Sequence, residues 1–177
     1  MNCWKTVNVS REFGHNRIYI ISLILGLLSF IFLYLPFSMI HHSNSFQDHG
    51  VLPLLLGMLA LPMMHKMMHI LPLIIGNKKI KVKMRMRMRC IPIFSYLTKS
   101  KMSKRMSVLA LLAPTIFITI PGLIASYIFV EYYAYIILFT SINIGLSFTD
   151  FIYAIHMMKA PRKCIIENAK DGYDILI

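Results

Sequence analysis

Four long stretches of apolar residues dominate the chain, and each is long enough to cross a bilayer as a helix. A hydrocarbon core of about 30 Å needs roughly 20 apolar residues in helical conformation. The four stretches are 18–40, 51–75, 107–130 and 134–157. This pattern predicts an all-α membrane protein with four transmembrane helices, folded as a single integral membrane domain over residues 1–177.

The second stretch is unusual because it contains a lysine and three prolines. Lys66 lies near its middle, where a lysine costs about 2.5–3.5 kcal/mol of insertion free energy. Twelve Val, Leu and Ile residues in the same stretch offset that cost, since each contributes about −0.3 to −0.6 kcal/mol. We therefore expect this stretch to insert, with its helix bent or broken at Pro53, Pro62 and Pro72.

Between the second and third stretches the apolar residues alternate strictly with cations. Residues 80–89 are Ile-Lys-Val-Lys-Met-Arg-Met-Arg-Met-Arg, a period of two that is typical of a strand. The apolar run 90–96 follows directly, and Pro92 argues against a central strand position for it. A small β-hairpin is therefore predicted between helices 2 and 3. Two short apolar runs around Asp171-Gly172 predict a second hairpin in the tail.

The overall composition agrees with a membrane protein. Hydrophobic residues make up 57% of the chain and charged residues 15%, against about 45–50% and 25% in soluble domains. These figures exclude a soluble globular domain and a disordered chain. The three cysteines have no paired spacing, so neither a disulfide framework nor a zinc knuckle is predicted.

The basic residues are distributed unevenly among the segments outside the apolar stretches. Eighteen of the 19 Lys and Arg residues lie in three segments, namely 1–17, 76–106 and the tail 158–177. The segments 41–50 and 131–133 contain none. By the positive-inside rule, this distribution predicts a multi-pass protein of the cell membrane with both termini in the cytosol.

The basic loop from Lys78 to Arg105 is the main candidate for a binding surface outside the membrane. Cytosolic Lys and Arg residues close to a span are attracted to anionic lipid headgroups. We therefore expect membrane lipids as partners of this loop. No aromatic interleaving or motif in it predicts nucleic-acid binding, and the sequence does not identify a protein partner.

Ionisable residues within the apolar stretches are the first candidates for chemistry, because they are costly there without a function. His65 and His69 are four residues apart and therefore share one face of a helix. Asp150 in the fourth stretch has a similar predicted depth: it lies about 10.5 Å from the cytosolic end of its helix, against about 9 Å for His69. Two histidines and a carboxylate are a known catalytic zinc set. His65, His69 and Asp150 are therefore candidate zinc ligands.

The order of these features resembles the putative zincin peptidase family of small bacterial membrane proteins, which is similar to intramembrane metallopeptidases of the site-two-protease type. The resemblance covers roughly residues 50–177. Its three pieces are His65-Lys66-Met67-Met68-His69, Leu112-Ala113-Pro114, and the segment from Asn143 to Asp150 followed by the basic tail. The resemblance implies a zincin-like fold in which two motif histidines and a later aspartate bind zinc, here His65, His69 and Asp150.

The chain departs from that family's pattern next to the first motif histidine. The resemblance implies a glutamate there, acting as the general base on a zinc-bound water, and this chain has Lys66. A lysine ammonium accepts no proton and repels a divalent ion. We therefore expect a catalytically inactive peptidase homologue with a binding or regulatory role. We expect no resident cofactor, and zinc as the metal if one is bound.

Two alternative functions stay open. The first is an active zinc-dependent, membrane-embedded peptidase with a rearranged base. The second is a Cu(I)-binding membrane protein that uses the thioethers and imidazoles of residues 63–69, because soft ligands suit that ion. For Asn143 and Ser147 we expect interhelical hydrogen bonds rather than catalysis.

Lys66 and Asp150 are further predicted to form a buried ion pair in place of a metal site. Each is the only formally charged residue in its apolar stretch, and an isolated charge at that depth is expensive. Their positions along the helix axes differ by about 3 Å. The flexible lysine side chain can close that gap.

Overall fold

A computed structural model describes residues 3–41, 50–77, 80–87, 91–98, 101–162, 164–169 and 172–177. Within these residues the chain forms seven α-helices and one π-helical turn. The helices are α1 (Val9–Phe13), α2 (His15–His41), α3 (Val51–Ile75), α4 (Lys104–Pro114), the π turn Thr115–Thr119, α5 (Ile120–Ile128), α6 (Tyr133–Leu146) and α7 (Phe148–Lys159).

Three helical segments of the described chain are long and apolar enough to cross a membrane. They are α2, α3 and the continuous run Lys104–Ile128, which joins α4, the π turn and α5. The helices α6 and α7 would make a fourth span if the two act as one. The protein is therefore mostly helical with three or four candidate spans, as the hydrophobic pattern predicts in outline. Many large side chains of α2 and α3 are exposed, as expected for helices that face lipid.

The predicted break in the second span does not occur. Helix α3 is a single α-helix over Val51–Ile75, and both Pro62 and Pro72 lie inside it. Pro53 falls in the first turn, where a backbone N–H has no partner within the helix. The prolines are thus accommodated within one helix, which keeps His65 and His69 on a common face.

The fourth predicted span is divided at Ser147 into two helices that differ in direction by 45°. Ser147 Oγ donates a hydrogen bond of 2.9 Å to the Asn143 carbonyl in the preceding turn, a contact that often bends a helix. Gly145 lies in close contact with α2, because a Cβ there would be 2.6 Å from the Ser22 carbonyl oxygen. Small and hydroxyl residues are a usual cause of kinks. The bend places Asp150 in the first turn of α7, where the helix dipole stabilises a carboxylate.

The described strands form two separate antiparallel sheets. The strands are β1 (Cys3–Val7), β2 (Ile80–Arg87), β3 (Ile91–Thr98), β4 (Met102–Ser103), β5 (Ile165–Ala169) and β6 (Gly172–Leu176). The larger sheet has the order β1-β6-β5-β4, and the smaller one pairs β2 with β3. Both predicted hairpins are therefore confirmed, β2–β3 between the second and third spans and β5–β6 in the tail.

The register of the hairpin β2–β3 explains how Pro92 is tolerated. Pro92 pairs with Met86 in a ladder of only two strands, which has no central strand. A proline is compatible with an edge strand because its missing N–H can face away from the ladder. Residues 88–90, the end of the predicted alternating strand, lie outside the described residues.

The larger sheet covers one end of the helical bundle. Strand β1 pairs with β6, so the two ends of the chain meet in one sheet. A buried apolar cluster lies between this sheet and the ends of α4 and α7; it includes Val7, Leu111, Met157, Ile166 and Ile175. This cluster fixes the positions of α4 and α7 relative to each other. The participation of β1 was not predicted from the sequence.

Candidate metal centre

The structure brings His65, His69 and Asp150 together inside the bundle. His65 and His69 come from α3, and Asp150 comes from the first turn of α7. The Nε2 atoms of the two histidines lie 3.1 Å and 3.4 Å from Asp150 Oδ2. Both imidazoles are buried, and the carboxylate is partly buried. One ligand atom from each residue lies within 4.8 Å of the other two, so the group could hold a metal ion.

A hydrogen bond that His65 donates to Asn143 fixes the orientation of the His65 ring. The Asn143 amide nitrogen donates to the Thr119 hydroxyl at 2.9 Å and to the Pro114 carbonyl at 3.3 Å. A carbonyl can only accept, so the amide oxygen of Asn143 must face the other way, towards His65 Nδ1 at 2.8 Å. His65 therefore carries a hydrogen on Nδ1 and donates it to Asn143. In the neutral imidazole, Nε2 is left with a lone pair that points at Asp150.

His69 is held in the same way by a backbone carbonyl of α4. Its Nδ1 donates to the Ala110 carbonyl oxygen at 2.8 Å. In an unbroken α-helix this oxygen would accept the N–H of the residue four positions later. That residue is Pro114, which has no N–H, so the Ala110 carbonyl is available for a side chain. The Ala-Pro pair in the third span thus has a physical role in positioning His69.

The resulting arrangement requires a positive charge between the three side chains. In the neutral imidazoles both ring hydrogens lie on Nδ1, so two Nε2 lone pairs and a carboxylate oxygen converge, and a proton or a metal cation has to lie between them. Ligand atoms of a tetrahedral zinc ion lie about 3.3 Å apart, and the two distances to Asp150 Oδ2 are 3.1 Å and 3.4 Å. Metal-bound histidines usually donate their second N–H to a carbonyl or carboxylate. The donor set therefore fits a zinc ion.

Lys66 does not make the predicted ion pair with Asp150. Among the described residues, the basic side chains beside the Asp150 carboxylate are His65 and His69, at 3.1 Å and 3.4 Å, and Lys66 is not one of its partners. Lys66 is half-buried, and its position in α3 is rotated by about 100° from that of His65. The carboxylate is thus engaged by the two imidazoles, and the lysine lies at the flank of the cluster.

No carboxylate other than Asp150 belongs to this cluster in the described part of the chain. The other four described carboxylates lie on other elements: Glu12 in α1, Glu131 in the turn before α6, Glu167 in β5 and Asp174 in β6. Two of these are engaged elsewhere, since Glu167 pairs with Lys101 at 3.8 Å and Asp174 accepts a hydrogen bond from Thr6. Within the described residues, the three candidate ligands therefore have no second carboxylate beside them that could act as a base.

Three of the four methionines in the 63–69 segment are exposed, namely Met63, Met64 and Met67, and Met68 is half-buried. His65 and His69 are buried. The helix therefore turns most of its thioethers outward and its imidazoles towards Asp150.

Interhelical hydrogen bonds were predicted for Asn143 and Ser147, and in the described chain only Asn143 makes them. It joins His65, Thr119 and the Pro114 carbonyl, whereas Ser147 bonds the backbone of its own turn. Sequence reasoning did not identify Thr119 or the Ala110 carbonyl. The free carbonyl of Ala110 could have been predicted from the proline four residues later, whereas nothing in the sequence indicates the role of Thr119.

Comparison with known proteins identifies the family. No curated protein and no solved structure matches the chain. The model of the family described as putative zincin peptidase matches residues 58–165, a range that contains both histidines, Lys66 and Asp150. Because this match covers more than half of the 177 residues, the protein belongs to the putative zincin peptidase family.

Proposed function

We propose that this protein is a membrane-embedded, zinc-binding homologue of zincin peptidases that does not hydrolyse peptides and acts by binding. The family membership and the apolar helices support a peptidase-like membrane protein. Zinc binding and the absence of hydrolysis are the proposed steps beyond that.

One observation carries the proposal of zinc binding. His65 Nε2, His69 Nε2 and Asp150 Oδ2 converge with their lone pairs, while Asn143 and the Ala110 carbonyl use the remaining ring hydrogens. A single proton could bridge one imidazole to the carboxylate, but it would leave the second lone pair facing Asp150 without a partner. A divalent ion satisfies all three atoms at once. The expectation of no resident cofactor is therefore replaced by a proposed zinc ion.

The residues divide into ligands and residues that orient them. His65, His69 and Asp150 would hold the ion, and three protein ligands leave one position open for a further ligand. When bound, zinc acts as a Lewis acid on an oxygen at that open position. Asn143 and the Ala110 carbonyl fix the two imidazole rings by accepting their Nδ1 hydrogens. Because both rings are already held in this orientation, they do not have to rotate when the ion binds.

The proposal that hydrolysis is absent rests on Lys66. Peptide hydrolysis at a metal site needs a group that accepts a proton from the attacking water. Lys66 follows the first motif histidine, and a lysine ammonium cannot take that role. Since the other described carboxylates lie on other elements, we expect the site to bind a ligand without cleaving it.

Metal analysis of the full-length protein tests the zinc proposal. The protein is purified from membranes in a mild detergent, and its zinc and copper contents are measured by mass spectrometry. We expect about one zinc per chain in the wild type, and a loss of zinc in His69→Ala and Asp150→Asn. His156→Ala is the matched control, because this histidine of α7 bonds the Ile152 carbonyl and lies outside the cluster. Zinc content that is equal in all four proteins would contradict the proposal, as would copper in place of zinc.

An active zinc peptidase is the second candidate, and the three-ligand set with an open position favours it. The same preparations decide between the two by incubation with unstructured and transmembrane peptides. We expect no cleavage above that of His65→Ala. Zinc-dependent cleavage by the wild type that His65→Ala abolishes would establish the peptidase instead.

We also propose that the end of the bundle covered by the larger sheet faces the cytosol of a cell-membrane protein. Described basic residues lie on or beside this sheet, namely Lys5, Lys101, Lys104, Arg105 and Arg162. The segments 41–50 and 131–133 contain no Lys or Arg. Reporter fusions after Ile177 and within the 42–49 loop test the orientation. The two fusions should report opposite sides of the membrane, with Ile177 inside. A cytosolic signal from the 42–49 loop would reverse the proposed orientation.

A further inference from the structure

A second candidate site lies where the larger sheet meets the ends of α4 and α7. Here the structure has a cavity of about 430 Å³, which we call the basic cavity. Four basic side chains line it, namely Lys101, Lys104, Arg105 and Arg162. Three of them come from the start of α4 and the residues before it, and Arg162 comes from the segment after α7. The cavity does not contain any residue of the metal centre.

The positive charge of the basic cavity is only partly balanced. Lys101 pairs with Glu167 at 3.8 Å. Lys104 Nζ donates to the Met158 and Ala160 carbonyls at 2.8 Å and 2.5 Å. These hydrogen bonds hold the side chain in the wall of the cavity but do not neutralise its charge. Arg105 and Arg162 are exposed, and among the described residues neither has an acidic partner.

The basic cavity adjoins an apolar strip on the surface of the third span. Arg105 and Leu109 are four residues apart in α4, so they share one face of the helix. The same side continues past Leu112, which is half-buried against the core, to the exposed Ile116 in the π turn. Leu109 is 47% exposed and Ile116 is 38% exposed. A cationic end thus leads directly into an exposed apolar surface.

We infer that the basic cavity binds the phosphate of an anionic phospholipid, with Arg105 and Arg162 as its ligands and the acyl chains along Leu109 and Ile116. Arginine suits this role because its planar fork matches the oxygens of a phosphate. Basic pockets at the cytosolic ends of transmembrane helices are sites for anionic headgroups. A soluble phosphate would satisfy the arginines but would leave the adjoining apolar strip without a function, so we assign the site to a lipid.

This site is more specific than the surface that the sequence predicts. The alternating cations of the basic loop suggest a general attraction to headgroups. The structure adds Arg162, which follows Arg105 by 57 positions in the chain and lines the same cavity. Two arginines from different elements around one cavity favour a single bound lipid over a diffuse layer.

Native mass spectrometry of the full-length protein in detergent tests the inference. The protein is titrated with phosphatidylglycerol and, separately, with phosphatidylcholine of the same acyl chains, and lipid-bound species are counted. We expect one saturable phosphatidylglycerol adduct and weaker binding of phosphatidylcholine. Arg105→Gln/Arg162→Gln should weaken phosphatidylglycerol binding by about 10- to 30-fold, since each basic residue near a headgroup contributes about a fivefold step.

The matched control removes the same charge from the same end of the helical bundle, the end that the larger sheet covers. Lys5→Gln/Arg11→Gln changes two exposed residues of β1 and α1 that do not line the cavity, and it should bind phosphatidylglycerol like the wild type. Arg162→Gln alone is a second test, because Arg162 lies in a turn outside any helix or strand, and it should weaken binding several-fold.

Three outcomes would overturn the inference. They are equal binding of the two lipids, an equal loss in the control variant, and displacement of the lipid by millimolar inorganic phosphate. The last result would show an ion site without a role for the acyl chains. None of these measurements uses the metal centre, so they do not depend on the proposed function.

Discussion

His65 donates its Nδ1 hydrogen to Asn143 Oδ1 across 2.8 Å, from α3 to α6. Asn143 is completely buried, and its amide nitrogen also bonds Thr119 and the Pro114 carbonyl. One side chain therefore joins α3, α6 and the middle of the third span. It also decides which nitrogen of His65 faces Asp150, and this makes Asn143 a positioning residue for the proposed metal site.

Asn143→Leu tests this positioning role, since leucine has a similar volume and accepts no hydrogen bond. We expect zinc affinity to fall by about 10- to 100-fold, the usual effect of removing a partner of a metal-bound histidine. Affinity is measured by competition with a chromophoric chelator in detergent. Ser141→Ala is the control, because Ser141 is buried on the same helix but bonds only carbonyls of its own helix, those of Ile137 and Leu138. An equal loss in both variants would mean that any change in this helix weakens the site.

Pro114→Ala tests the origin of the free carbonyl at Ala110. The substitution supplies an N–H four residues after Ala110, and this N–H would compete with His69 Nδ1 for the oxygen. We expect zinc affinity to fall by about 10-fold, the lower end of the range for such partners. Thermal stability should hold or rise, because alanine favours an internal helix position over proline by about 3 kcal/mol.

Pro121→Ala is the control for Pro114→Ala, because Pro121 is the second residue of α5 and the N–H of an alanine there would bond a carbonyl other than that of Ala110. It should leave zinc affinity unchanged. If Pro114→Ala lowers stability and affinity together, the proline has a packing role and the carbonyl argument fails. Lower zinc affinity together with unchanged or higher thermal stability is the result that supports the carbonyl argument.

The sequence predicts the elements that depend on local pattern. Long apolar stretches indicate the candidate spans because the bilayer imposes a length. The alternation in 80–89 predicts a strand because side chains in a strand alternate between faces. The spacing of His65 and His69 predicts that they share one face of a helix. Because Asp150 has a predicted depth similar to that of His69, it was predicted to be the third member of the group. The structure brings these three residues together, although zinc binding itself stays a prediction.

Features that depend on contacts distant in the chain were not predictable in the same way. Strand β1 pairs with β6 at the other end of the chain, and no local pattern in Cys3–Val7 indicates a partner. The bend at Ser147 lies beside Gly145, which α2 approaches closely, and this contact joins residues far apart in the chain. The predicted pair of Lys66 and Asp150 relied on depth and a flexible side chain. The prediction did not consider that the imidazoles of His65 and His69 would lie next to the Asp150 carboxylate, where they take the place predicted for the lysine.

Substitution of Lys66 tests whether its charge opposes the metal. We expect zinc affinity to rise in the order wild type, Lys66→Gln, Lys66→Glu, because the first change removes a repulsion and the second adds an attraction. Each step should be worth roughly tenfold, or about 1.4 kcal/mol. The neutral glutamine separates the charge from the side-chain length. An affinity that is the same in all three proteins would show that the Lys66 ammonium is screened from the site.

The contact between α2 and α6 gives a prediction from two neighbouring glycines. A Cβ at Gly145 would lie 2.6 Å from the Ser22 carbonyl oxygen and 3.2 Å from the Gly26 Cα, both backbone atoms of α2 that cannot move separately. A Cβ at Gly26 would lie 3.5 Å from the Ser141 carbonyl oxygen, an ordinary contact. The two sides of one interface thus differ in the space that they leave for a methyl group.

Gly145→Ala should therefore destabilise the protein by about 1–3 kcal/mol, the usual cost of overpacking. Gly26→Ala should be neutral or stabilising by up to about 1 kcal/mol, because alanine is the better residue in a helix. Thermal unfolding in detergent measures both. Since the bend that carries Asp150 lies beside Gly145, zinc affinity should fall in Gly145→Ala and persist in Gly26→Ala. If both variants unfold at the same temperature, α2 does not pack on α6 as closely as the structure shows, and the close approach at Gly145 cannot be the cause of the bend.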